Sequence, residues 1–311
     1  MERLLVTGID RPVGIDLALV LAQHCEVLGV YRDHVIETSA LRTACWNTAG
    51  GASLAELTRD WRPQWILHCG PLAAANWDPV PAAGELAREA EAIEELTALS
   101  AAQSARLTVL SSDAVFAGPR MFHDEASETT ATGRWAAAVR DLEQKLTARD
   151  TLVVRTHAYG WSPVSERAGF AERTWRGLSA GALTGVDGRR HATPILAADL
   201  AELLWRAREV RLTGLCHLAG AERTSPYHFA YALAAATNLA LPHVSAANPT
   251  SDGRTALEET SLSSRRARRA MERATPLLRP GLERFAAQRH NGWLDRYTVV
   301  GPVSAMAAMA A

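Results

Sequence analysis

Over its first 160 residues this sequence alternates short apolar runs with stretches of helical periodicity, and few folds accept that rhythm. Leu4-Leu5-Val6, Glu26 to Tyr31, Trp65 to His68, Leu107 to Leu110 and Leu152 to Arg155 read as short strands. Gly14 to Gln23, Ser53 to Trp61, Ala83 to Ser104 and Arg134 to Ala148 read as the helices between them. Strands this apolar must be covered on both faces, and intervening helices supply parallel crossovers. The expectation is an α/β fold with a doubly wound parallel sheet over residues 1–160.

After residue 160 the rhythm changes. Phe170 to Ser179, Ala198 to Arg208 and Tyr227 to Ala236 read as helices, and Leu215 to Leu218 as a strand. Turn-forming stretches at Asp187-Gly188 and Pro249 to Gly253 punctuate the region. Residues 161–297 are therefore read as a smaller C-terminal substrate lobe interleaved with the sheet. Residues 298–311 form an apolar tail.

Composition narrows the classes. A 311-residue chain that is 48% hydrophobic and 22% charged can bury a sizeable core and is not disordered. Its net charge of -1 argues against a general binder of nucleic acid or anionic membrane. Cys25, Cys45, Cys69 and Cys216 form no CxxC pair, so neither a metal site nor a disulfide framework is expected. The N-terminus enters a strand pattern at once and no apolar run reaches membrane length, which leads to the expectation of a cytoplasmic protein. Of the 33 basic residues only Lys145 is a lysine, so any mechanism needing a lysine must use it.

The first strand runs into Gly8, then Arg11, then Gly14 at the start of a helix. This spacing is that of a phosphate cradle, where glycines let a diphosphate reach the N–H groups of a helix N-terminus. Here the middle glycine is Arg11, whose side chain either obstructs a diphosphate or offers it a charge. At the end of the second strand stand Tyr31-Arg32-Asp33: Arg32 favours a 2′-phosphate and hence NADP, while Asp33 keeps NAD open. Gly70, in His68-Cys69-Gly70-Pro71, permits close approach of a cofactor or simply makes a turn.

The order of motifs resembles the extended short-chain dehydrogenase/reductase superfamily. Within it the chain is most similar to the dTDP-4-dehydrorhamnose reductases and the related regulatory beta subunits of methionine adenosyltransferase. The resemblance rests on Val109 to Phe116, on Arg155-Thr156 through Tyr159-Gly160, and on Asp187 through Ile195 with Ala198 to Ala201 behind it. It implies a Rossmann-like fold and a catalytic Ser or Thr, followed by a Tyr with a Lys four residues later. Ser112 matches the first position. Setting Leu142-Glu143 on the family's Gly-Glu places Trp135 at the tyrosine and Val139 at the lysine. An indole offers only an N–H donor and valine offers nothing, so neither can relay a proton. No Tyr-x-x-x-Lys occurs anywhere in the chain.

Further candidates lie where such sheets bind ligands. Asp113 beside Ser112, and His157 beyond Arg155-Thr156, are read as substrate contacts or as turn and core residues. Arg190, within Arg189-Arg190-His191, can clamp a phosphate bidentately. Arg254 resembles an arginine that the family uses near the substrate diphosphate, although Thr255 stands where a proline usually follows. The arginines between Arg265 and Arg273 read as a solvated helical face or as a site for a diphosphate or an acidic partner. The sequence thus leads to a catalytically degenerate relative of the sugar-nucleotide reductases. It would bind a nucleotide or nucleotide-sugar-like ligand, with NADP binding weak or lost, as a non-redox enzyme or an accessory subunit. A partner enzyme and a homodimer are both compatible with that reading. An NADPH-dependent reductase with an atypical proton donor is the alternative.

Overall fold

The computed structural model describes residues 1–46, 52–147, 151–183, 186–240 and 258–304. Its centre is a seven-stranded sheet built from β1 (Arg3–Thr7), β2 (Glu26–Tyr31), β4 (Arg42–Cys45), β5 (Trp65–His68), β6 (Arg106–Ser112), β7 (Thr151–Thr156) and β10 (Gly214–His217). The strand order is β10-β7-β6-β5-β1-β2-β4, and every pairing in it is parallel. Outside this sheet, β3 (His34–Glu37) pairs antiparallel with β11 (Thr298–Pro302), and β8 (Ala158–Tyr159) pairs with β9 (Ile195–Leu196).

Successive side chains of a strand point to opposite faces, and both faces here are apolar. Leu4 and Val6 of β1, with Trp65 and Leu67 of β5, share a core with α1 (Gly14–Leu21), α6 (Ala197–Glu209) and α8 (Arg265–Met271). Leu5, Ile66, Val109 and Val153 face the other way, toward α3 (Ala83–Gln103) and α4 (Arg134–Thr147). Every residue of α1 is buried, and all but Asp16 are apolar or glycine. The short helix α2 (Leu54–Thr58) begins at a capping box in which Ser53 and Glu56 satisfy each other's backbone N–H groups.

A third core forms mostly from residues 161–297. Helices α5 (Phe170–Ser179), α7 (Pro226–Thr237) and α9 (Leu278–Ala287) gather Trp77, Tyr159, Trp161, Phe170, Phe229 and Phe285. Trp161 stacks on Phe285 with ring centroids 4.2 Å apart.

Several elements escape the sequence pattern, β3, β8, β9 and α9 among them. Arg42-Thr43-Ala44-Cys45 has no apolar run, yet it forms the edge strand β4, where one side stays partly open to water. Residues 298–302, read as part of an apolar tail, form β11. That strand finds its partner more than 250 residues earlier in the chain. No helix among the described residues is long and apolar enough to cross a membrane.

Candidate functional site

The cradle is built from the ends of β1 and β5. Gly8 has φ +80°, and a Cβ there would lie 2.2 Å from the Cys69 carbonyl oxygen. A Cβ on Gly14 would lie 2.1 Å from the Gly8 oxygen. Only glycine fits either place. Val13, between them, also has φ +74°, a costly conformation for a β-branched residue and a sign of local strain. Beneath the turn, Gly70 presses against the Glu89 carboxylate and His68, leaving no room for a Cβ. His68 Nδ1 lies 2.6 Å from Thr7 Oγ1, and its Nε2 lies 3.1 Å from Glu89 Oε1.

Arg11 crosses the mouth of this cradle. Its Nη1 donates to Glu85 at 2.6 Å and its Nη2 to Asp33 at 3.3 Å. Asp33 also accepts from Arg167 at 2.7 Å and from Arg88 at 3.2 Å. Burial pushes the Asp33 carboxyl up, but the Arg167 hydrogen bond and the charges of Arg167, Arg11 and Arg88 hold it below its ordinary value. Arg32 does not join them. Its guanidinium lies 4.4 Å from the Trp46 ring centroid and donates to the Arg88 carbonyl.

A second cluster sits at the carboxyl ends of β6 and β7. Ser112 Oγ donates to the Ala74 carbonyl at 2.5 Å and accepts the Ala114 N–H. Asp113 is wholly buried and bonds in three directions: the Asn76 N–H at 2.9 Å, His157 Nδ1 at 2.7 Å and the Thr260 hydroxyl at 2.5 Å. His157 stands edge-on to Trp77, with ring centroids 4.5 Å apart, and its Nε2 has no hydrogen-bond partner. Arg190 ties in through the Asn76 carbonyl at 3.3 Å while pairing with Asp187 at 2.9 Å. Arg254 lies outside the described residues, as does the turn from Pro249 to Gly253.

Helix α4 is anchored nearby. Arg155 of β7 forms a bidentate pair with Glu143 at 2.9 and 2.7 Å, and Ser111 donates to the same carboxylate at 2.6 Å. Val139 and Trp135 lie one and two turns before Glu143 on the helix. Both are buried in the apolar layer against the sheet, with Leu142, Val115 and Phe116.

The crevice has unequal ends. On the lobe side a cleft of about 290 Å³ is bounded by Arg11, Val13, Gly70, Asp78, Arg167 and Gly169. Burial raises the carboxyl of Asp78 in its wall, against the opposing pull of Arg173 and His157. At the ribose end, between Asp33, Trp46, Glu85 and Glu89, the space shrinks to about 20 Å³. The glycine turn suits the close approach of a dinucleotide's diphosphate. Ion pairs from Arg11 to Asp33 and Glu85 cross the narrow end at Asp33. Among the described residues no group of three or more His, Cys, Asp or Glu side chains could hold a metal ion.

The sequence singled out Gly8, Arg11, Gly14 and Gly70; the first three share the turn after β1, and Gly70 follows β5 beside it. Ser112, Asp113, His157 and Arg190 lie together at the other strand ends. Glu85, Arg88, Arg167, Asn76 and Thr260 were not found. Their partners lie 37 to 147 residues away along the chain. No local pattern marks them.

The family described as the RmlD substrate binding domain matches residues 1–290. No curated protein matches the sequence. Among solved structures, a hypothetical dTDP-4-dehydrorhamnose reductase from Sulfolobus tokodaii is 23% identical. That match covers 86% of this chain and 94% of that one at a TM-score of 0.70. The Bacillus anthracis dTDP-4-dehydrorhamnose reductase, in complex with NADP, is 19% identical over 91% of this chain and 98% of its own, at 0.67. MoeE5, in complex with UDP-glucuronic acid and NAD, is 18% identical over 94% of this chain and all of its own, at 0.74. At these identities the structures establish a shared fold.

Proposed function

This chain belongs to the family of the RmlD substrate binding domain, and on that premise we propose that it binds a nucleotide or nucleotide-sugar-like ligand without hydride transfer, as a non-redox enzyme or an accessory subunit. One observation carries the reading. Aligned on Glu143, whose buried pair with Arg155 anchors α4, Trp135 and Val139 would occupy the proton-donor and lysine positions, and both pack into the core. Neither side chain can give up and regain a proton at physiological pH. The ligand would enter the lobe-side cleft, with the N-terminus of α1 and Arg167 toward its phosphate. Ser112, Asp113 and His157 would handle protons, His157 being oriented by the Asp113 carboxylate as a base is by its acid.

A second reading, an NADPH-dependent reductase with an atypical donor, draws on the cradle glycines and on the Asp113–His157 pair. A dinucleotide bound there would supply hydride, and the pair would have to supply the proton. The two readings separate in one assay. Purified protein with NADPH and a dTDP-4-keto-6-deoxy sugar should show no substrate-dependent NADPH oxidation, because loss of positioned acid–base help costs about a hundred- to ten-thousandfold. Robust oxidation would select the reductase.

A further inference from the structure

The ribose end of the crevice holds an unusual convergence: three guanidiniums meet on one carboxylate, and each comes from a different segment. Arg11 belongs to the turn after β1, Arg88 to the second turn of α3, and Arg167 to the lobe. Arg167 and Arg11 share Asp33 Oδ2, and Arg88 takes Oδ1. Asp33 itself is held by its backbone. Its N–H donates to Asp10 Oδ2 at 2.9 Å, and its carbonyl accepts the Val303 N–H at 2.9 Å, just beyond β11. The carboxylate is therefore fixed, while the arginines reach it on long flexible arms.

Asp33 stands at the end of the second strand, where this kind of fold reads the ribose 2′ position with an acid for a hydroxyl or an arginine for a phosphate. Here acid and arginines are present together, and each satisfies the other. A phosphate dianion offers more charge and more acceptor oxygens than a carboxylate, in a geometry that suits guanidinium forks. Water reaches the hub, whose Arg11, Asp33 and Arg167 side chains are 18%, 22% and 24% exposed. Such pairs exchange partners at little cost.

We propose that the hub is an autoinhibitory latch: Asp33 takes the place of a ligand phosphate among Arg11, Arg88 and Arg167, and a nucleotide bearing a 2′-phosphate opens the ribose end by displacing it. The Arg11–Glu85 pair is the second catch of the latch, tying the cradle turn to the first turn of α3. The latch deepens the ligand reading above and rests on it for the nucleotide, but it does not depend on whether hydride transfer occurs.

Calorimetric titration of the full chain with 2′-AMP and 5′-AMP tests it. Asp33→Asn should bind 2′-AMP at least about tenfold more tightly than wild type, with no comparable gain for 5′-AMP. Adding Arg88→Ala to that variant should abolish the gain. Glu85→Gln, which frees Arg11 without touching Asp33, should move 2′-AMP affinity in the same direction by about threefold. Melting curves of each variant confirm that the fold is intact. The latch is overturned if Asp33→Asn binds 2′-AMP no more tightly than wild type, or if both nucleotides gain equally. If that happens while a nucleotide sugar still stabilises the wild-type protein, only the latch falls. If no nucleotide or nucleotide sugar binds any variant, the ligand reading falls with it.

Discussion

The two charged clusters of this protein sit at carboxyl ends of the same sheet, yet they are built on opposite principles. At the ribose end, Arg11, Arg88 and Arg167 crowd Asp33 in reach of water. At the ends of β6 and β7, Glu143 and Arg155 are 6% and 5% exposed, and Asp113 with His157 is sealed completely. A buried charge whose partner is removed has nowhere to turn, so such a pair fixes the position of the elements that carry it. A hydrated pair can trade its partner for solvent or ligand. The sealed cluster therefore holds α4, Asp113 and His157 in a fixed arrangement, and the open one can exchange its partners for those of a ligand.

The sharpest test of that contrast is stability. Glu143→Ala strands Arg155 and the Ser111 hydroxyl in the core and should cost about 3–5 kcal/mol in urea denaturation. Asp33→Ala, at the hydrated hub, should cost about 1 kcal/mol or less. Equal losses would erase the distinction.

Acidity should separate the two ends next. On the cradle side, burial lifts the α1 carboxyl Asp16 to about 7, against the hydrogen bond from Trp293 and with Glu172 nearby adding to the rise. Between its ordinary 3.8 and that value the native state holds a proton that the unfolded chain has released. Stability attributable to Asp16 therefore falls as pH climbs through that window, by up to about 1.4 kcal/mol per pH unit. Near the sealed cluster, burial and then the charge of Arg155 depress His217 from 6.5 to about 3. There the unfolded chain takes the proton first, so stability is lost as pH drops from 6.5 toward 3. The two windows overlap with opposite slopes, so Asp16→Asn should remove a loss of stability with rising pH between 3.8 and about 7, and His217→Gln a loss with falling pH between 6.5 and about 3. Slope changes of the same sign in both variants would contradict these assignments.

The smallest expected effect is at Arg190, which ties Asp187 to the Asn76 carbonyl beside the Asp113 cluster. It is one-third exposed, so Arg190→Ala should cost about 0.2–1 kcal/mol of stability. Its larger consequence should be a weaker thermal shift on adding a nucleotide sugar. An undiminished shift would remove Arg190 from the ligand site.

Much of this was legible in the chain. The apolar runs marked β1, β2, β5, β6 and β7 because strands buried on both faces must be apolar throughout. Gly8 and Gly14 announced a turn with no room for side chains. The contact of Arg32 with the Trp46 ring had no local signal in the chain.

What the sequence determined by itself was the layered α/β architecture and the identity of the residues at each strand end, since periodicity and glycine sterics are local properties. What only the tertiary structure decided was who meets whom: Asp33 with three arginines, Asp113 with Thr260, Asp16 with Trp293, β3 with β11. Those partners lie between 22 and 277 residues apart along the chain. Charge and hydrogen bonding act through space, and that space exists only once the sheet has brought its strand ends together.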